Sequence, residues 1–220
     1  MLYLISLALA AAQPAAPFQI GVTAPALQTS VGNPATFDLG GFRLGMSEAD
    51  VEAVMKARGM KVQRAMRVTT FEDNVRGLVN VRGGQLAMRG GSVLGEADLN
   101  DGKGGRVMLR FLAWPDGARV RSIAYLPPAG TDPTGWRSLL TGKYGPAASD
   151  SVSVDSNELH ARWCGRARCV GVFGAFALSA DVGPDGGVIA LSQPDGTGDR
   201  LKVLVEAEAA RRGPRGTPAL

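Results

Sequence analysis

Residues 41–59, GFRLGMSEADVEAVMKARG, write the start, the face and the stop of one short helix into a single stretch. Ser47 is an N-cap whose hydroxyl accepts a first-turn backbone N–H, and Asp50 reaches back to the cap. Met46 and Val51 are placed as a hydrophobic staple. Glu48 and Asp50 stand at the positive end of the helix dipole, and Lys56 and Arg58 at the negative end. Val51, Val54 and Met55 share one face, and Gly59 supplies the left-handed residue that ends the helix. A helix of roughly three turns with so narrow an apolar face is marginal alone, so the chain must supply a sheet or a second helix to cover it.

Strand chemistry downstream supplies that cover. Val107, Leu109 and Phe111 alternate with Met108 and Arg110, Pro115-Asp116-Gly117 turns the chain, and 118–126 returns with Val120, Ile123 and Tyr125. Val120 and Ile123 fall on opposite faces of an ideal strand, which predicts a bulge near Arg121 or cover on both faces. Pro184-Asp185-Gly186 repeats the turn chemistry between 176–181 and 187–192, and 158–163 alternates as a further strand. Residues 61–69 read as a short strand or an irregular connection.

Two more helices carry their own punctuation. Thr70 and Asp73 cap a helix over 71–82, with Phe71, Val75, Leu78 and Val79 on one face and Gly83-Gly84 as its stop. Asp132-Pro133 opens another, with Trp136, Leu139, Leu140 and Tyr144 on one face and Gly145-Pro146 closing it. Leu201, Val203, Val205 and Ala207 alternate with polar or larger neighbours and favour a last strand, although Leu201, Leu204, Val205 and Glu208 also fit a helix. The expected fold is α+β: an antiparallel sheet of hairpins and meanders with about three short helices packed on one face. A single domain spans 37–212, and its helix-then-hairpin order recurs in 40–127 and 128–212, which reads as two degenerate α/β repeats. Residues 13–36, rich in Pro, Ala and Gly, form a flexible lead, and 213–220 a disordered tail.

The run 2–12, LYLISLALAAA, followed by Gln-Pro, reads as a signal-peptide core cleaved near Ala12, which places the mature chain in the periplasm or outside the cell. No other stretch approaches transmembrane length. The formal charge of +4 is local: Lys61, Arg64, Arg67, Arg76, Arg82 and Arg89 stand in 61–89 against only Glu72 and Asp73. Phe71 is the one aromatic there, so the stacking pattern of a nucleic-acid binder is missing and a solvated charged face is the reading.

The two cysteines, Cys164 and Cys169, flank Gly165-Arg166-Ala167-Arg168, and in an exported chain an even count at hairpin spacing predicts a disulfide. The alternative, His160 with Cys164 and Cys169 on zinc, matches no common ligand spacing. His160 is the sole histidine and the candidate catalytic residue of a hydrolase reading, beside an acidic pair whose geometry a sequence does not display. No Gly-x-Ser-x-Gly, His-Glu-x-x-His or P-loop pattern occurs, and the Asp98–Gly102 stretch lacks the ligand spacing of a calcium loop. No cofactor is implied.

Gly45-Met46-Ser47 followed by Val51 resembles the helix opening of small exported bacterial envelope proteins, the small-protein-A type outer-membrane lipoproteins and the β-lactamase-inhibitor-like proteins. The resemblance covers 41–59 only. It implies a helix on an antiparallel sheet and a protein that works by binding another protein, without catalysis. The lipoproteins also carry a cysteine just after the signal segment; here none precedes Cys164, which argues against a membrane anchor. The reading is therefore an exported binding module for a protein or anionic envelope component, with Arg162, Arg166 and Arg168 as candidate contacts, and a small periplasmic hydrolase as the alternative.

Overall fold

The computed structural model describes residues 32–87, 90–130, 132–153, 157–164 and 176–213. The expected signal segment, most of the lead, the tail beyond residue 213, and Arg166, Arg168 and Cys169 lie outside them. A 3-10 turn at Pro34–Thr36, capped by the Asn33 side chain, precedes a small antiparallel pair, β1 (Asp38–Leu39) and β2 (Phe42–Arg43). Then follow α1 (Glu48–Arg58), β3 (Lys61–Thr69), α2 (Phe71–Arg82), β4 (Ser92–Asn100), β5 (Arg106–Trp114) and β6 (Gly117–Leu126). The second half holds α3 (Pro133–Tyr144), β7 (Ser149–Ser153), β8 (Glu158–Cys164), β9 (Ala177–Gly183), β10 (Gly186–Ser192) and α4 (Thr197–Arg212).

Eight strands form one antiparallel sheet in the order β3-β4-β5-β6-β10-β9-β8-β7. Each half of the chain thus gives a leading helix and four strands that neighbour one another in order, with α2 inserted between β3 and β4 in the first and α4 following β10 in the second. The two sets of strands join through their last members, with Ile189 opposite Tyr125 and Leu191 opposite Ile123. The third and fourth strands of both meanders are linked by Pro-Asp-Gly, with Gly117 at φ +114° and Gly186 at φ +113°, backbone that side-chain-bearing residues rarely adopt. The sheet has the approximate twofold order that a repeated unit would produce.

The capping box at Ser47 and Asp50 is formed in both directions, and Gly59 takes the left-handed conformation after α1. The bulge also falls where the pattern put it: Arg110 pairs with Ser122 and Phe111 with Val120, leaving Arg121 extra, so Val120 and Ile123 both turn to the core. Residues 61–69 are a strand at the sheet edge, irregular at two register shifts and exposed along its length, which is how edges avoid pairing with other chains.

Alternation sorts the sheet into two faces. Val107, Leu109, Phe111, Ile123, Leu159, Trp163, Leu178, Val182, Ile189 and Leu191 are buried on one face, under Val51 of α1 and Leu140 and Tyr144 of α3. Eight strands spaced about 4.8 Å apart span about 34 Å, whereas two helices about 10 Å wide cover about 20 Å. Phe37, Leu39 and Phe42 join the same core, and β1 and β2 both contact β6, so the leading segment fills part of the space between the helices.

The last element is a helix, which corrects the strand reading. Leu201, Val205 and Ala209 recur every four residues and pack on Phe71, Val75, Leu78 and Val79 of α2, in a cluster separate from the main core. The alternation is broken by packing: Leu201 and Val205 of the alternating set face α2, whereas Val203 is 66% exposed, and Leu204 of the helical set is 44% exposed. Arg82–Glu206 and Arg212–Glu72 ion pairs tie the two helices antiparallel. No helix among the described residues is long and apolar enough to cross a membrane.

Candidate functional site

The second face of the sheet is polar, and residues from both meanders meet on it. Pairing registers set Arg64, Asp98, Met108 and Ala124 in one row and Met66, Glu96, Arg110 and Ser122 in the next. Arg106 reaches Asp98 at 3.4 Å, and Arg110 reaches Glu96 at 3.6 Å. Asp98 is only 6% exposed, and its Oδ1 has no hydrogen-bond partner among the described residues. Asp98 to Asn100 end β4, and the turn to β5 follows at 101–105, where Asp101 accepts the backbone N–H groups of Lys103 and Gly105.

The other half of the face centres on His160. The registers place Ser151 of β7, His160 of β8 and Asp181 of β9 in one row. His160 Nδ1 lies 2.9 Å from Asp181 Oδ1, and Nε2 lies 3.6 Å from Glu158 Oε2. The ring is 48% exposed on an open plate, and among the described residues no hydroxyl hydrogen-bonds to it. This is a hydrogen-bonded histidine between two carboxylates, with no formed nucleophile-base contact.

Arg162, one row along, does face the same side, but its guanidinium is engaged. It donates to Asp181 Oδ1 at 2.8 Å and to the carbonyls of Ala161 and Ala180, lying flat on the strands. Arg166 and Arg168 lie outside the described residues, so the structure brings together Arg162, His160 and Asp181 and leaves the rest of the arginine cluster aside. Cys164 ends β8, buried on the same face as His160. Four residues along a strand separate their Cα atoms by about 13 Å, too far for both to hold one zinc ion. Among the described residues no group of three ligating side chains could hold a metal.

Asp181 joins this half electrostatically. Burial raises its carboxyl, but the hydrogen bonds from His160 and Arg162 and the nearby guanidinium charge outweigh burial and hold it below the usual carboxylate value. Because the folded value lies below the unfolded one, the pairing contributes in full above about pH 4 and is lost as pH falls through the lowered value. The urea midpoints of wild type and Asp181→Asn are expected to differ at about pH 7 and to converge toward about pH 2. A gap of constant size down to that pH would mean that the carboxylate charge does not matter here.

The basic excess of 61–89 is spread out and in part neutralised. Arg67 faces Glu48 at 3.7 Å, Arg76 pairs with Asp73 and Arg82 with Glu206, while Lys61 and Arg64 stay on the β3 edge. Among the described residues no continuous cationic stripe results. Comparison with protein-family models, with curated proteins and with solved structures finds no match to this chain.

Proposed function

We propose that this chain is an exported, non-catalytic module that docks a partner protein on the open face of its sheet. One observation carries the reading: both meanders contribute to a face outside the main core, and there Arg106, Arg110 and Arg162 alternate with Glu96, Asp98, Glu158 and Asp181. A plate of interleaved signs matches a protein surface with its own mixed charges, whereas a uniformly anionic envelope surface would match cations alone. The resemblance of 41–59 to envelope proteins that bind other proteins agrees with this reading.

Affinity capture from the producing cell's envelope fraction tests it. Wild type and a Val203→Gln/Leu204→Gln variant on the outer side of α4 should retain the same partner, and Arg106→Gln/Arg110→Gln should lose it while keeping its circular dichroism. Retention should also fall with salt. Equal capture by the face variant would overturn the assignment.

Export brings a second expectation, a Cys164–Cys169 disulfide. Among the described residues no cysteine is a free thiol. The intact mass of protein from the envelope fraction should show a chain starting near Gln13, with both thiols alkylated only after reduction. Closing so short a loop stabilises by about 2 kcal/mol on the chain-entropy model, so reduction should lower the urea midpoint without unfolding the domain. A full-length reduced chain would sink both export and the disulfide.

The hydrolase alternative rests on the row Ser151, His160 and Asp181, which puts the side-chain types of an acyl-transfer triad on adjacent strands. A serine-directed fluorophosphonate that labels wild type and not Ser151→Ala would replace the binding reading with that one. Labelling of neither supports the binding module.

A further inference from the structure

The helix-covered face holds a second feature, independent of the open face. Between the end of α1, α3 and the β4–β5 turn, a cleft of about 530 Å³ remains open, within the size range of small-molecule sites. Among the described residues it lies where helix cover falls short of a wide sheet, with Leu39 and Gly40 as one of its bounds. The floor is apolar and aromatic. Val107 and Tyr125 come from the sheet and Trp136 from α3, with the Tyr125 and Trp136 rings 5.7 Å apart and tilted by 47°. Leu139 is 56% exposed, an apolar side chain left in solvent at the rim.

The rim charge is one-sided. Arg58, Lys103 and Lys143 line the cleft against Asp101 alone. Lys143 is already held by Asp38 at 2.8 Å, whereas among the described residues Arg58 and Lys103 make no ion pair within 4 Å, the Arg58 charge reaching Asp38 only at longer range. Asp101 is occupied as well, taking the Tyr125 hydroxyl at 3.1 Å and two backbone N–H groups of its own turn. Those bonds fix the turn that carries Lys103 and clamp Tyr125 in the floor. Consistent with that clamp, burial and the Asp101 bond push the Tyr125 hydroxyl up to about 12, so it stays a neutral donor through ordinary pH.

We propose that this cleft binds a small amphipathic carboxylate, its apolar body on Trp136, Tyr125, Val107 and Leu139 and its head between Arg58 and Lys103. An apolar floor supplies affinity and the two unpaired cations at the rim select the charge, the usual division of labour in a ligand site. Another opening of similar size, about 520 Å³ between α2 and α4, has no such rim: its Lys202 is paired with Asp199 at 3.0 Å, and its two carboxylates, Asp73 and Glu206, are paired with Arg76 and Arg82.

Calorimetric titration of the intact protein with 2-naphthoate and decanoate, and with 2-naphthamide as the uncharged match, tests the proposal. One carboxylate or the other should bind one to one, with the amide at least about tenfold weaker, as expected when a charge-assisted contact is removed. Arg58→Gln and Lys103→Gln, both exposed substitutions that leave the fold intact, should each weaken carboxylate binding about tenfold and leave the weak amide binding unchanged. Val81→Gln, in the α2–α4 opening, should change neither. No carboxylate binding at millimolar concentration, equal binding of acid and amide, or loss through Val81→Gln in place of Lys103→Gln would each overturn the assignment. Failure here leaves partner capture by the open face untouched, so the two readings fall separately.

Discussion

Trp163→Ala is expected to destabilise the domain by about 3–5 kcal/mol, the range for removing a fully buried large aromatic. Trp163 has no exposed surface and is the largest side chain in the core. Its ring meets Tyr144 of α3 edge to face at 6.3 Å, and its Nε1 donates to the Gly145 carbonyl at 2.9 Å. Trp163 therefore ties the end of α3 to β8, while Tyr144 passes the contact on to Phe37, with ring centroids 4.4 Å apart, and to the Asp38 carbonyl. The loss should exceed simple transfer of the ring, because a rigid sheet below and a helix above cannot close over the cavity. Trp163→Phe separates the parts: it keeps most of the burial and removes the hydrogen bond, and should cost about 1–2 kcal/mol. Urea unfolding followed by far-ultraviolet circular dichroism measures both. Leu139→Ala, at the exposed rim, should stay within about 1 kcal/mol. A Trp163→Ala cost no larger than that control would mean that the second meander does not depend on this junction.

What the sequence displayed was local, and what it concealed needed a partner far along the chain. Ser47 with Asp50, Thr70 with Asp73, and Asp132 before Pro133 each satisfy helix N–H groups from within the same turn, so α1, α2 and α3 could be bounded by inspection. Pro-Asp-Gly twice named its turn for the same reason. In contrast, β7 is Ser-Asp-Ser-Val-Ser, an edge strand with one apolar residue, and carries no alternation to detect. For α4, the apolar residues facing solvent outnumber those an isolated pattern would allow; only α2 shows why Leu201 and Val205 are the ones that count. The candidate sites were hidden in the same way. His160 and Asp181 stand 21 positions apart, and pairing register alone puts them in one row with Ser151. Arg162 looked like one of three free arginines until its guanidinium was placed on Asp181. The cleft draws on β1, α1, α3, β5, β6 and three connections, so no single stretch announces it.

Gly187→Ala should be the most damaging single methyl in the sheet, at about 3–5 kcal/mol, through backbone collision more than lost burial. Gly187 sits at φ +146°, and a Cβ there would meet the Asp181 carbonyl and stand 2.7 Å from Val182 Cα. Those are backbone atoms of the paired strand, so no rotamer can move aside. Gly117 provides the control within the same molecule. It has φ +114°, is the counterpart in the first meander of Gly186, the neighbour of Gly187, and has nothing within 4 Å of its would-be Cβ. Its alanine variant meets only the conformational penalty, about 1–2 kcal/mol. The consequences should also differ in place. Prising β10 from β9 disturbs the strand whose Ile189, Ala190, Leu191 and Ser192 join the two meanders through β6, so amide exchange should quicken in β6 and β9 together. Alanine at Gly117 should quicken exchange only around its own turn. Asp181 lies at the point of collision, so Gly187→Ala should also erase the acid-dependent stability that its carboxylate shares with His160 and Arg162. If the two variants cost the same and unprotect only their turns, the close approach of β10 to β9 does not hold the halves together. In that case the open face cannot act as one rigid plate.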